Sequence, residues 1–355
     1  MFLFHQQKGA YIVRPFCFVC RHPQKTISHV VAPLPMMIAP ATIGLALLPI
    51  SIKGRTDWIS RSTKEKKMPE FSFQNHKVHY VEAGQGEPLV FLHNGGNDHQ
   101  IWEHQLAHFA TTHRVIATDH LGFGASDKPH IELTLPLYGE MVAALVDELA
   151  LAPVTLIGNC MGSAMAFHYT LHHPDKVKRL VLCNITSEKI LLAGPLASIY
   201  QQFAASKEGR DAYSTQIEAT GLPREETDRQ LRSQYGATPP DDPAFSEYIF
   251  GLYNLPGQQR SLFNVLSNFD DYRTPDEFTL PENFPPTCVI WGQENFILPA
   301  TAGEEFCARL QPTRKEFLPG CGHLLMREKA AEVNQIIESF LTRPLTQTHK
   351  LNLVA

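Results

Sequence analysis

Between Val154 and Ala166 the chain changes its periodicity within a few residues. Val154-Thr-Leu-Ile157 is a short, apolar, β-branched run of strand length, and small residues and helix formers follow Cys160. The turn Gly158-Asn-Cys-Met-Gly162 must therefore carry a strand directly into a helix. So sharp a turn leaves its central side chain standing proud only where the flanks lack bulk, and Gly158 and Gly162 lie two residues either side of Cys160. The helix N-terminus beneath the sulfur adds positive potential, which predicts a cysteine pKa below its free value of about 8.5. The competing reading of Cys160 is a small buried hydrophobe, the usual state of a free cysteine.

Four further segments stand around this elbow. Pro88-Leu-Val-Phe-Leu-His-Asn-Gly-Gly96 is a strand running into a glycine turn, and Arg114-Val-Ile-Ala-Thr-Asp-His-Leu-Gly-Phe-Gly-Ala-Ser-Asp-Lys-Pro129 is a strand with a D-x-x-G-x-G-x-S loop. Cys288-Val-Ile-Trp-Gly-Gln-Glu-Asn295 ends an apolar strand on an amide. Leu318-Pro-Gly-Cys-Gly-His323 places an imidazole ahead of a helix with apolar residues at Ala331, Val333, Ile336, Ile337, Phe340 and Leu341. In this order the segments, from about Phe71 to Leu341, resemble the α/β-hydrolase superfamily. The resemblance implies an α/β fold: a mostly parallel central sheet with helices on both faces and an inserted helical cap. It also implies the chain order nucleophile, acid, histidine, which falls on Cys160, Asn295 and His323.

Two of these positions depart from the family pattern, with Cys160 in place of serine and Asn295 in place of aspartate. Separately each looks like damage; together they are chemically coherent. A serine hydroxyl must lose its proton during attack, so the imidazolium that forms needs a nearby negative charge. A cysteine can rest as a thiolate beside protonated His323, and Asn295 then needs only to orient the ring through its amide oxygen. Papain-like proteases use such a Cys, His, Asn set on an unrelated fold. Asn184, at the end of the preceding strand, and Glu294 are the alternative partners of His323, and a turn asparagine in a decayed site is the alternative reading of Asn295. For the oxyanion hole the resemblance implies the backbone N–H of Met161 and one from the His93-Asn-Gly-Gly96 turn, assigned to Gly95. Asn94 replaces the family's more usual glycine there, and its side-chain amide is an alternative donor.

Strands are expected near 77–82, 89–92, 115–118, 154–157, 180–183, 288–291 and 315–318, and helices near 138–149, 160–172, 301–310 and 329–341. Between Thr186 and Pro286 helical, aromatic-rich sequence interrupts this rhythm, with Tyr200, Phe203, Tyr213, Tyr235, Tyr248, Phe250, Tyr253, Phe263 and Phe269. The expected organisation is an extension over 1–67, the first part of the core over 68–185, a cap over 186–285, the second part of the core over 286–342 and a tail over 343–355. The aromatics suit an apolar acyl substrate, or else the cap's own small core.

At 355 residues and 43% hydrophobic the chain can bury a substantial core. Residues 1–67 carry ten Lys or Arg against two acids, leaving an acidic body that offers nucleic acid no footprint. Residues 27–52 lack Asp, Glu, Lys and Arg over a membrane-spanning length, but Pro33, Pro35, Pro40 and Pro49 oppose a stable helix. The extension is read as a poorly ordered leader without catalytic role, with a weak membrane anchor as the alternative. Met68-Pro-Glu-Phe resembles a natural start for the family domain. Cys17-Phe-Val-Cys20 has no second pair for tetrahedral zinc, so neither metal nor cofactor is expected. A reactive cysteine favours a reducing compartment, the cytoplasm. The expected activity is hydrolysis of an ester, thioester or lactone through a Cys160-linked acyl-enzyme. Acyl transfer through the same intermediate, or ligand binding without turnover, are the alternatives. Halide displacement and epoxide opening resemble families with an aspartate nucleophile and are disfavoured by Cys160.

Overall fold

The computed structural model describes residues 69–344 and, further toward the N-terminus, only a two-residue antiparallel pairing of Gln6–Gln7 with Ala10–Tyr11. The apolar run 27–52 and the Cys17/Cys20 pair lie outside the described residues.

Eight strands build the main sheet: β1 Glu70–Phe73, β2 His76–Ala83, β3 Pro88–Leu92, β4 Arg114–Thr118, β5 Val154–Asn159, β6 Val177–Cys183, β7 Thr287–Gly292 and β8 Arg314–Leu318. Their spatial order is β8-β7-β6-β5-β3-β4-β2-β1. The five pairings from β8 to β4 are parallel, and β2 joins β4 and β1 antiparallel. Parallel strands are joined by helices that cover both sheet faces, so their side chains are buried on each side. The alternation is visible residue by residue. Val90, Leu92, Leu156, Leu180, Leu182, Val289 and Trp291 enter one core, while Leu89, Phe91, Ile157, Val181, Cys183, Cys288 and Ile290 enter the other.

The first core is completed by α2 (Leu135–Glu148), α3 (Met161–His172) and α10 (Ala300–Leu310), and the second by α1 (Glu103–Phe109) and α12 (Ala330–Leu341). Each fully buried Leu, Val or Phe among these contributes about 1.5–3 kcal/mol. The expected strands and helices are all present. The sequence reading omitted β1, which is only four residues long, and α1, whose Glu-His-Gln-Leu-Ala-His-Phe stretch presents few apolar positions.

β3 lies between β5 and β4, and the chain leaves β3 toward α1 on one face but leaves β5 into α3 on the other. Connections that diverge in this way open a crevice at the carboxyl ends of the two strands, the usual ligand position in open parallel sheets. Cys160 and the His93–Gly96 turn stand at these ends. Six helices fill the stretch between β6 and β7: α4 Glu188–Leu192, α5 Ala197–Ala205, α6 Lys207–Thr220, α7 Arg224–Ser233, α8 Pro243–Tyr253 and α9 Gln258–Ser267. Among the described residues no helix is long and apolar enough to cross a membrane.

Candidate active site

Cys160 follows the last residue of β5 with φ 52° and ψ −111°, a conformation that a side chain other than glycine adopts only under constraint. The constraint is a set of backbone bonds. Cys160 N donates to Cys183 O at 2.9 Å, Ala164 N closes the first turn of α3 on Cys160 O at 3.0 Å, and Ser163 Oγ donates to Cys183 O at 2.9 Å. The close approach also explains the glycines: a Cβ on Gly162 would sit 2.2 Å from Leu92 O, and one on Gly158 would sit 2.4 Å from Gly162 O. Met161 opens α3 beside the turn after β3, its Sδ 3.8 Å from where a Gly95 Cβ would stand.

His323, in the loop between β8 and α11 (Leu325–Glu328), is buried and held by its backbone from three directions. Its N–H donates to Gln234 O at 2.7 Å, and its carbonyl accepts Asn159 Nδ2 at 3.2 Å and Asn184 Nδ2 at 3.1 Å. The residue before Cys160 thus touches the histidine loop directly. Of the three candidate partners for the ring, Asn295 is the one beside it, with Nδ2 3.2 Å from His323 Nδ1. Asn184 fixes the His323 carbonyl instead, and the Glu294 carboxylate accepts Ala237 N at 2.6 Å.

A family model described as "alpha/beta hydrolase fold" matches residues 87–330. The chain belongs to this family. It is 23% identical over 301 residues to a cis-3-alkyl-4-alkyloxetan-2-one decarboxylase of Shewanella oneidensis, covering 79% of this chain and 90% of that one. It is 25% identical over 300 residues to epoxide hydrolase 3 of Mus musculus, covering 79% and 77%. Among solved structures, an N-acyl homoserine lactone degrading enzyme superposes with a TM-score of 0.58 at 22% identity, covering 77% of this chain and 100% of that one.

Two details of this α/β hydrolase differ from the sequence expectation. The amide oxygen of Asn295 does not face the ring, because it accepts Ile297 N and Leu298 N, each at 3.0 Å. The amide nitrogen faces His323 in its place. Nor do the surroundings favour a thiolate–imidazolium pair. Burial pushes the Cys160 thiol up to about 12, against the smaller lowering effects of the Met161 N–H and the Thr186 hydroxyl. Burial alone holds His323 down to about 3. Desolvation therefore favours the neutral thiol at Cys160 and the neutral imidazole at His323.

The sequence reading also missed an amide network that ties the helical insertion to the turn after β3. Gln234, following α7, accepts Asn94 Nδ2 at 3.2 Å and Asn97 Nδ2 at 3.0 Å on its Oε1, and donates from Nε2 to Tyr253 Oη at 2.8 Å. The Asn94 side-chain amide is therefore committed to Gln234. Gln258 of α9 adds a second tie, donating to Gly96 O at 2.9 Å and accepting Gly124 N at 3.1 Å. Leu262 packs above, 3.4 Å from the Cβ position of Gly95. No local signal announces these bonds, and those that tie the insertion to the turns after β3 and β4 join residues more than a hundred positions apart in the chain.

Among the described residues one group could hold a metal ion, His79, His99 and Asp119. Asp119 there already accepts His99 N at 3.0 Å, His99 Nδ1 at 2.6 Å and Ala125 N at 2.8 Å, which makes the group a buried ion pair. Burial is the largest single effect on His99 and lowers it, but the Asp119 charge, the Asp119 hydrogen bond and the Asp98 charge together carry it up to about 9. His93 and His120 stack at 3.7 Å and both stay neutral, burial holding His93 down to about 4.

Proposed function

We propose that this α/β hydrolase cleaves an ester or lactone through a thioester on Cys160. In this reading Cys160 Sγ attacks the acyl carbon, and His323 takes the thiol proton and returns it to the oxygen that leaves as the C–O bond breaks. Water then attacks the thioester with His323 as base, the C–S bond breaks, the acid departs and His323 returns the proton to Sγ. The N–H groups of Met161 and Gly95 hold the oxyanion that forms in each half. Asn295 positions the ring, and the helical insertion serves as a cap that keeps bulk water from the thioester. The observation that carries this reading is the constrained backbone of Cys160 at the carboxyl end of β5, one residue from an asparagine bonded to the His323 carbonyl. The Shewanella relative is named for an oxetan-2-one, a four-membered lactone, which supports a lactone as one substrate class.

A second reading, ligand binding without turnover, is favoured by one specific observation: His323 faces an amide nitrogen rather than an acid. Intact mass of the full chain and of Cys160→Ala after exposure to activated esters and lactones separates the two. A mass increase on the wild type alone that decays in water supports the hydrolase. Decay only on adding an amine, alcohol or thiol makes the protein an acyltransferase. No adduct on any ester, with ligand binding intact in both proteins, would leave the binding reading standing.

A further inference from the structure

The anchoring of Asn295 decides which nitrogen of His323 carries the proton. Asn295 Oδ1 accepts the backbone N–H of Ile297 and of Leu298, each at 3.0 Å. Turning that oxygen toward the ring would leave two N–H groups of a tight turn without their acceptor, a conformation the buried environment opposes. Asn295 Nδ2 consequently points to His323 Nδ1 at 3.2 Å. A carboxamide nitrogen donates and does not accept, so Nδ1 must be the unprotonated, accepting nitrogen. The single proton of the neutral ring then resides on Nε2. The loop cannot relieve this by shifting, because His323 N is held by Gln234 O at 2.7 Å and its carbonyl by Asn184 Nδ2 at 3.1 Å.

We propose that Asn295 is a positioning residue that locks His323 in the Nε2–H tautomer, and so holds the candidate nucleophile in an unactivated state. The lock concerns the ring alone; its catalytic consequence rests on the reading of Cys160 given above. For the sulfur to attack, the thiol proton must pass to Nε2 while Nδ1 carries the other proton. In the locked ring Nε2 is already protonated, and a proton on Nδ1 would meet the N–H groups of the Asn295 amide. Transfer therefore waits on a half-turn of that amide. In Ser-His-Asp hydrolases the same exchange of carboxylate for carboxamide lowers turnover about 10⁴-fold for this tautomeric reason. An aspartate at 295 has the same shape: one oxygen keeps the Ile297 and Leu298 N–H groups, and the other accepts a proton-bearing Nδ1.

Two-bond ¹H–¹⁵N spectra of the full chain read the tautomer without any activity assay, with the His323 signals identified by their loss in His323→Gln. The wild type is expected to show a protonated Nε2 and a bare Nδ1, and Asn295→Asp a protonated Nδ1. Acylation of Cys160 by an aryl ester, followed by intact mass, is expected to be about 10²- to 10⁴-fold faster in Asn295→Asp. A protonated Nδ1 in the wild type overturns the lock whatever the activity, as does an Asn295→Asp ring that stays bare at Nδ1. A ring that switches as expected while Cys160 remains unacylated in both proteins keeps the lock and removes the nucleophile reading.

Discussion

The backbone carbonyl of Gln234 accepts the N–H of His323 at 2.7 Å. The same residue's side chain holds Asn94 and Asn97, so one glutamine from the helical insertion braces both the histidine loop and the turn after β3. Gln234→Ala keeps the carbonyl bond but strips acceptors from two buried amides and a donor from Tyr253. Each orphaned buried group costs about 1–3 kcal/mol, and water entering the vacated space offsets part of it, so the expected loss is about 2–4 kcal/mol. Urea unfolding at neutral pH measures this. A loss under about 0.5 kcal/mol would mean that the network is slack and the insertion is held by apolar packing.

Glycines 162 and 320 make a matched pair of substitutions. Gly162→Ala drives a methyl to within 2.2 Å of the Leu92 carbonyl, so the elbow cannot close without moving β3. Gly320 has φ 69° but open space around its Cβ position, which leaves only the backbone strain of about 1 kcal/mol. Gly162→Ala is expected to express as insoluble or unfolded protein and Gly320→Ala as folded protein with a slightly lower Tm. Two variants of similar stability would show that the elbow has slack its backbone bonds do not suggest.

Much of this molecule is legible in its sequence because the informative patterns are local. The run Val154 to Ile157 alternates between two cores, and Gly158 and Gly162 mark the sharp turn around Cys160, while the approach of the Leu92 carbonyl to Gly162 emerges only in the folded chain. His323 and Asn295 are found by their places after strands, and the structure sets them side by side. The rest depends on atoms that sequence order does not bring together. The orientation of the Asn295 amide is decided by Ile297 and Leu298, and the charge state of Cys160 by how much protein surrounds it. Gln234 is one of many glutamines until its partners at 94 and 97 are in place.

The thiol of Cys160, pushed up to about 12 by burial, yields a clear pH profile. Below its pKa the thiolate fraction rises tenfold per pH unit, and the thiolate is the form that iodoacetamide alkylates. Cys160 modification, located by peptide mass, is expected to be slow at pH 7 and to climb without a plateau through pH 10. A plateau near neutral pH would restore the ion pair that the enclosed site disfavours.

The His99–Asp119 pair contributes the first part of the alkaline fall in stability, ahead of buried thiols such as Cys160 and Cys288, whose raised pKa acts in the same sense above about pH 8.5. Asp119 carries His99 up to about 9 in the folded protein, against about 6.5 in the unfolded chain. Between these values the folded state binds a proton that the unfolded state releases. The contribution is thus complete below about pH 6.5 and lost as pH rises through 9, amounting to about 3 kcal/mol. Buried His93 and His323 act in the opposite sense. Held down to about 4 and about 3, they exclude protons that the unfolded chain takes up, so stability falls as pH drops below about 6. Stability should therefore peak near neutrality. Asp119→Asn leaves His99 without its counter-charge, costs about 3–5 kcal/mol at pH 7 and removes the His99 share of the alkaline limb, between about pH 6.5 and 9. Urea midpoints of both proteins from pH 7 to pH 10 decide it: parallel curves would mean that His99 is not the group titrating there.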